Sequence, residues 1–454
     1  MKASDLHYRD IRMYEQHERL QAIDMFQRLS AEFGCAEEGA HLFQTLSACI
    51  ESSLAAYEAL IRSHLDKDPE EPDSLEAIRR LRPAGPRRLA QSLPSNHFDR
   101  LRGALYGRAA GCTLGAALEF RPVSTLRNWA DYTGTDFPPT DYWRMVLSDP
   151  EDVHYLVAKK RNLTRGNFTA VPPDDDLVYT LLGLLTMETC GLDFTQEQMA
   201  QLWMKHLPIG PDDDMVHGNR ACWWGERSML VNLLAGVPLP EAGLRGNPNL
   251  QNIAAWTRAD SYGYACPGWP EKAAALAYRD ASVNHRRNGV YGSMFMAATI
   301  AAAFVLDDPL EAVRIGLTEI PENCLFAEGI RWALEQDFRS WQQAHDRIWE
   351  RYRGMFNGSA LTNAVQVVAG LMIGQQDFTR VIGETVAMGG DNDCTGATAG
   401  SILGAVIGHD RIPAHWITPF QGRMQLYLKD MPDTLALNDI CRRFEALALR
   451  TVRD

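Results

Sequence analysis

Two stripes of glycine constrain this chain more than any other feature. Gly103, Gly107, Gly111 and Gly115 in "FDRLRGALYGRAAGCTLGAALEF" fall every fourth residue, and so do Gly396, Gly400, Gly404 and Gly408 in "GGDNDCTGATAGSILGAVIG". Residues four apart lie above one another on a single face of an α-helix. A glycine inside a helix costs about 1 kcal/mol relative to alanine, so each stripe implies a compensating close approach by another backbone. The pattern predicts two helices that pack closely along their glycines. From about Phe98 onward the text is rich in Gly and Ala, with no defensible strand pattern and no repeat of fixed period. The expected fold class of the main body is therefore all-α.

At 454 residues and 46% hydrophobic, the chain can bury more than one small core, which favours one large domain with an appendage. Residues 1–66 read as an N-terminal helical extension, 67–97 as a charged, Pro-rich linker or surface segment, and 98–454 as the main domain. Within the extension Phe43, Leu46, Ile50, Leu54, Tyr57 and Ile61 recur at spacings of three and four, an apolar helix face that needs a partner. The net charge of −13 argues against broad attraction to nucleic acid or to an anionic membrane. The longest strongly apolar run, Phe295 to Leu306, is 12 residues, which suits a buried helix and not a bilayer span. The first residues carry no apolar signal core, and the nine cysteines form no CxxC pair. A protein of the reducing cytoplasm is expected.

The chemistry sits at the ends of the apolar helical text. In "PPDDDLVYTLLGLLTMETCG" the aspartates Asp174, Asp175 and Asp176 open an apolar run. Carboxylates are favoured at helix N-termini by capping and by the helix dipole. One cap needs one aspartate, however, and three like charges entering a core are costly without a cation. Asp391 and Asp393 in "GGDND" stand at the start of the second striped helix, where Gly389 and Gly390 permit a sharp turn. If the two clusters meet, five carboxylates surround one point, and hard divalent ions such as Mg²⁺ or Mn²⁺ would make that tolerable. A further triple, Asp212 to Asp214, is flanked by Pro and Gly and reads as a loop.

"GxxLGxxxE" from Gly111 to Glu119, the "DDD" at Asp174, and "GGDNDCTGATAGSILGA" together resemble the three signatures of the ADP-ribosylglycohydrolase family. The order and spacing match from about residue 98 to about 450, and "RADSYGYACPGWPEKAAALAYRDASVNHRRNGVYGSMF" is similar to the middle of a bacterial branch. That family includes the dinitrogenase-reductase-activating glycohydrolases and the crystallin J1-like proteins. The resemblance implies an all-α, orthogonally packed domain with two Mg²⁺ or Mn²⁺ ions in a cleft. It also implies hydrolysis of the bond at the ribose anomeric carbon of an ADP-ribosylated protein or ribosylated small molecule. Carried over by position, it assigns Asp175, Asp176, Asp391 and Asp393 to metal binding and Glu119 to catalysis or substrate positioning. His285 matches a histidine near the nucleotide part of the substrate. Asp260, Tyr262 and Gly263 match a central substrate loop, and Gly390 lies beside the second metal motif.

The chain departs from the family pattern at three places. Asp174 and Cys394 stand where threonines are usual, and Cys112 where the first motif often has an aspartate. Asp174 still offers oxygen to a hard cation. Cys394 is a softer ligand, so a second ion would use Cys394, Thr395 or water, or be absent. Two other readings stay open: a glycosidase of the same fold acting on another ribosylated metabolite, and a catalytically silent binder of ADP-ribose or a nucleotide. The acceptor linkage is not legible in the sequence.

Overall fold

The computed structural model describes residues 35–65, 67–144, 162–209 and 224–453. The first 34 residues and Asp212 to Asp214 lie outside the described residues. The helices that position the site are α1 (Ala36–Arg62), α2 (His97–Ala116), α3 (Asp175–Cys190), α4 (Ala259–Ala265), α5 (Asn288–Ala303), α6 (Ala360–Gly374), α7 (Phe378–Ala387), α8 (Asn392–Ile407) and α9 (Leu437–Thr451), with shorter helices between them. The body is all-α apart from one small hairpin, in which β1 (Arg423–Gln425) pairs antiparallel with β2 (Thr434–Ala436). No helix among the described residues is long and apolar enough to cross a membrane.

Every residue of α5 and of α8 is buried, as is nearly all of α6. Helices that are small or apolar all round belong inside a core, because no face asks for water. The two striped helices α2 and α8 run antiparallel with their glycines in register. A Cβ built on Gly103, Gly107 or Gly111 would overlap the carbonyl oxygen of Gly404, Gly400 or Gly396, and one on Gly115 that of Asn392. The reciprocal overlaps hold from α8 onto α2. At that separation Cα–H groups and carbonyl oxygens of the two helices touch directly. The antiparallel register brings the C-terminal end of α2 beside the N-terminal end of α8, so Glu119 meets Asp391 and Asp393.

The hairpin helps to place the other acidic turn. Val171 donates its N–H to Arg423 O at 2.8 Å and accepts from Gln425 N at 3.0 Å, three residues before Asp174. The segment expected to be a linker is strapped to the body. Ser74 caps a short helix (Leu75–Leu81), whose Ile78 is fully buried, and Arg82 and Arg87 both reach the buried Glu319. The extension differs. None of the residues of α1 is buried, and Phe43, Ile50, Leu54, Tyr57 and Ile61 stay exposed. Its end is held by polar contacts: Arg62 to Glu241 at 2.9 Å, and Arg287 donating to His64 O at 2.8 Å. The body supplies no partner for the apolar face of α1 among the described residues.

Candidate functional site

Two helix N-termini and one helix C-terminus converge here. Asp174 is the N-cap of α3, in extended backbone, and its Oδ1 accepts from Asp176 N at 3.2 Å. Capping therefore occupies one oxygen of one aspartate, as expected for a single cap. At α8 the chain turns through Gly389 (φ 72°) and Gly390 (φ 88°), a left-handed pair that side-chain-bearing residues rarely adopt. Asp391 then occupies the N-cap position, but its side chain makes no capping hydrogen bond. Its carboxyl is turned instead toward the other acids.

Potential ligand atoms fall into three overlapping groups, each with its members within 4.8 Å of one another: Cys112, Asp174 and Asp176; Asp176, Asp393 and Cys394; and Glu119, Asp391 and Asp393. Asp176 joins the first group to the second, and Asp393 joins the second to the third. The join is braced by backbone: Phe120 N donates to Gly390 O at 2.8 Å, and Asn392 Nδ2 to Leu118 O at 3.4 Å. Glu119 is thus fastened between its two aspartate neighbours.

Burial governs the electrostatics. It pushes the Asp391 and Asp393 carboxyls well above the usual carboxylate range, with the nearby Glu119 and other aspartates adding repulsion. Asp175 is raised in the same way, by burial and then by Asp174 and Asp176. Asp176 is pushed up to about 7 by burial, in spite of the adjacent Arg108 guanidinium. Burial likewise holds Cys112 and Cys394 as neutral thiols. The donor set is consequently carboxyl oxygen with neutral sulfur at its margin. Asp176 Oδ2 is buried and has no hydrogen-bond partner. An orphaned carboxyl oxygen amid four other carboxyl groups fits a hard divalent cation.

These shifts carry a sign. A carboxyl whose folded pKa lies above its unfolded value binds more protons when folded, so its contribution to stability falls as pH rises between the two values. For Asp176 that window runs from about 4 to about 7. We expect the chelated protein to lose thermal stability from pH 5 to pH 8, and a divalent cation to restore it most at the upper end. Cation affinity, measured calorimetrically, should rise over the same interval with release of protons.

Arg108 was not singled out from the sequence and is the main addition. It is fully buried on α2, and its Nη2 donates to Asp176 Oδ1 at 2.9 Å and to Asp176 O at 2.8 Å, while its Nη1 reaches Asp260 Oδ2 at 2.8 Å. Asp260 in turn accepts from Ser401 of α8 and from Tyr264. One guanidinium thereby ties α3, α4 and α8 together behind the carboxylates and leaves Asp176 Oδ2 turned away from it. The signal was present as an arginine set among small residues in "GRAAG", on the glycine-striped part of α2, because a charge buried there requires an anionic partner. Arg108→Lys keeps the charge and loses the planar fork, so we expect about 2 kcal/mol of destabilisation in chemical denaturation, with weaker cation binding.

The remaining expected site residues are placed as follows. Asp175 is half-buried beside the cluster and outside the three groups. The Thr395 hydroxyl is fully buried and donates back along its helix to Asp391 O at 3.0 Å. Asp260, Tyr262 and Gly263 lie on a helix, α4, where a substrate loop was expected. Tyr262 donates to Asp280 Oδ2 at 2.5 Å, and Gly263 packs against Ile300 and Ala297. All three are interior residues, and Asp260 reaches the cluster through Arg108. His285 is fully buried, its Nδ1 2.7 Å from Asn284 Oδ1 and its Nε2 2.8 Å from Asn252 Oδ1, and burial pushes it down to about 4. Both of its ring nitrogens are therefore within hydrogen-bonding distance of interior amide oxygens. Gly390 is at the cluster, as the turn before Asp391.

The family model described as ADP-ribosylglycohydrolase matches residues 93–447. The chain is 24% identical over 349 residues to the "ADP-ribosyl-[dinitrogen reductase] glycohydrolase" of Rhodospirillum rubrum, covering 75% of this chain and 97% of that protein. A solved structure titled "ADP-ribosylglycohydrolase-related protein complex" aligns at 20% identity with a TM-score of 0.46, over 79% of this chain and 99% of that one.

Proposed function

The chain belongs to the ADP-ribosylglycohydrolase family, and from that premise we propose that it is a divalent-cation-dependent hydrolase. It cleaves the bond between the anomeric carbon of the distal ribose of ADP-ribose and an acceptor on a protein or small molecule. The observation that carries this reading is the convergence of Glu119, Asp174, Asp176, Asp391 and Asp393 through overlapping groups within 4.8 Å. Residues 98–454 form the catalytic unit in this reading, joined through 67–97 to the extension 1–66.

Asp174, Asp176, Asp391 and Asp393 would hold Mg²⁺ or Mn²⁺, with Asp175 alongside. When bound, such an ion supplies Lewis acidity and lowers the pKa of a water. The chain's own residues do the rest. Glu119, half-buried at the edge of the acids, is placed to hold a ribose hydroxyl or to handle the proton that the attacking water loses. Hydrolysis forms a bond from water oxygen to the anomeric carbon and breaks the bond to the acceptor, whose atom takes up a proton. Arg108 fixes the orientation of Asp176. Cys112 and Cys394, kept as thiols, add packing without adding charge. Retention of Glu119 and of all the core aspartates supports an active enzyme over a silent binder.

The name of the Rhodospirillum rubrum relative describes removal of ADP-ribose from a protein, and this supports an ADP-ribosylated protein as a substrate class here. The test is release of free ADP-ribose from arginine-linked, serine-linked and nucleotide-linked substrates, with Mg²⁺ or Mn²⁺ and with chelator. Cation-dependent release from at least one substrate is expected. Absence of release from all of them, with ADP-ribose still bound, would return the chain to the binding-protein reading.

A further inference from the structure

Directly after Glu119 the chain does something costly. Phe120 takes a left-handed backbone conformation (φ 55°), which disfavours a bulky side chain, and its ring is 39% exposed. The ring stacks on Phe356, also 39% exposed, with centroids 6.5 Å apart and planes inclined by 23°. Strain and exposure of a large apolar ring coincide with the residue after the proposed catalytic glutamate, and such outliers gather at ligand-binding sites.

Both rings are held from behind. Phe120 N donates to Gly390 O at 2.8 Å, which ties it to the turn carrying Asp391. Phe356 sits on a loop where Ser359 N donates to Phe356 O at 3.0 Å and Ile253 N to Gly358 O at 2.9 Å. Asn363 Nδ2 donates to the carbonyl of Asn357 at 2.7 Å. One turn further along α6 is Gln366, whose amide lies next to Gly390. Gln366 Oε1 and Asn363 Oδ1 are both buried without hydrogen-bond partners. A circuit of neighbours thus runs from Phe120 through Gly390, Gln366, Asn363 and Asn357 to Phe356 and back, at the margin of the carboxylates.

We propose that Phe120 and Phe356 form the leaving-group subsite, an aromatic face that stacks a planar, delocalised acceptor such as a heteroaromatic ring or a guanidinium. This rests on the hydrolase reading above. Distance along the substrate selects the leaving group over adenine: the leaving group is bonded to the reacting carbon, whereas adenine is separated from it by a diphosphate and a second ribose. Phe120 is one residue, about 3.8 Å of chain, from Glu119. The face of a phenyl ring suits a flat π system or a delocalised cation, and offers nothing specific to an aliphatic hydroxyl.

The experiment uses the full chain loaded with Mg²⁺, and compares Phe120→Ala, Phe356→Ala and Phe120→Trp with wild type. The readouts are steady-state release from arginine-linked ADP-ribose, serine-linked ADP-ribose and NAD⁺, binding of free ADP-ribose by calorimetry, and circular dichroism. For the planar acceptors each alanine variant should lower kcat/KM about tenfold, the scale of one lost stacking contact. Serine-linked release and ADP-ribose affinity should change less than about twofold, and Phe120→Trp should recover most of the loss. The arginine and NAD⁺ arms separate a guanidinium from a heteroaromatic ring. Folded alanine variants with unchanged kinetics on every substrate overturn the subsite alone, and a parallel fall in ADP-ribose affinity overturns its assignment to the leaving group. A wild-type chain that releases ADP-ribose from nothing overturns the hydrolase reading and this inference with it.

Discussion

Replacing Asp391 and Asp393 together by Asn should abolish cation binding and lower kcat/KM at least about a thousandfold, equivalent to about 4 kcal/mol of transition-state stabilisation. The substitution keeps size and hydrogen-bonding capacity at both positions, so the loss would be of charge. Asp393 belongs to two of the three ligand groups and Asp391 to one, so the pair removes the α8 side of the cluster. A second outcome separates this from simple damage. Both carboxyls are pushed above their ordinary range by burial and by neighbouring acids, so in the absence of cation they oppose folding near neutral pH. The Asn pair should therefore melt higher than chelated wild type at pH 8, while losing the rise that a cation gives. At a hundredfold excess over its dissociation constant, a cation bound only to the folded state contributes about 2.7 kcal/mol. For wild type that corresponds to roughly 3 °C in thermal melting. A variant that melts lower than chelated wild type and still responds to Mg²⁺ would contradict this account.

The glycine stripes give the second large effect, and here two principles predict opposite signs. Helix propensity alone says that Gly107→Ala with Gly400→Ala should stabilise, by about 1 kcal/mol for each site. The packing says otherwise, because each added Cβ would overlap the backbone carbonyl of the facing glycine, which cannot rotate out of the way as a side chain could. The helices must separate, losing contact along their whole length, and overpacking against fixed atoms costs about 1–3 kcal/mol per site or more. We expect the double variant to be destabilised by up to about 4 kcal/mol in denaturant titration, the steric term prevailing over propensity. Activity should fall further than stability, since α2 delivers Glu119 to the aspartates of α8. Stability at or above wild type would show that the stripes are not a contact.

The stripes were legible because close backbone approach leaves a mark that no other requirement produces at that spacing. The acidic turns were legible because several like charges stand where the chain enters its core. Arg108 was harder to see: a cation between Gly107 and Gly111 on a helix that also carries Arg100 and Arg102 does not reveal its partners, which lie far away in sequence at Asp176 and Asp260. Asp260, Tyr262 and Gly263 match a substrate loop by resemblance and lie on the helix α4, where Tyr262 and Gly263 pack inward. His285 stands in polar text, and its fully buried ring meets Asn252 and Asn284, partners that the sequence does not reveal. The hairpin escaped notice because strands of three residues leave almost no periodic signal. The apolar face on α1 was read correctly as a face, while the sequence could not show that the described residues of the body leave it uncovered.

The most direct measurement is hydrolysis under exhaustive chelation and cation return, made on wild type and on Asp393→Asn in parallel, with bound Mn²⁺ counted by electron paramagnetic resonance. The account predicts that wild type releases ADP-ribose only when the cation is restored, in step with bound Mn²⁺, and that Asp393→Asn neither binds Mn²⁺ nor recovers. Release that survives chelation, or an Asp393→Asn chain that hydrolyses at the wild-type rate, would contradict it.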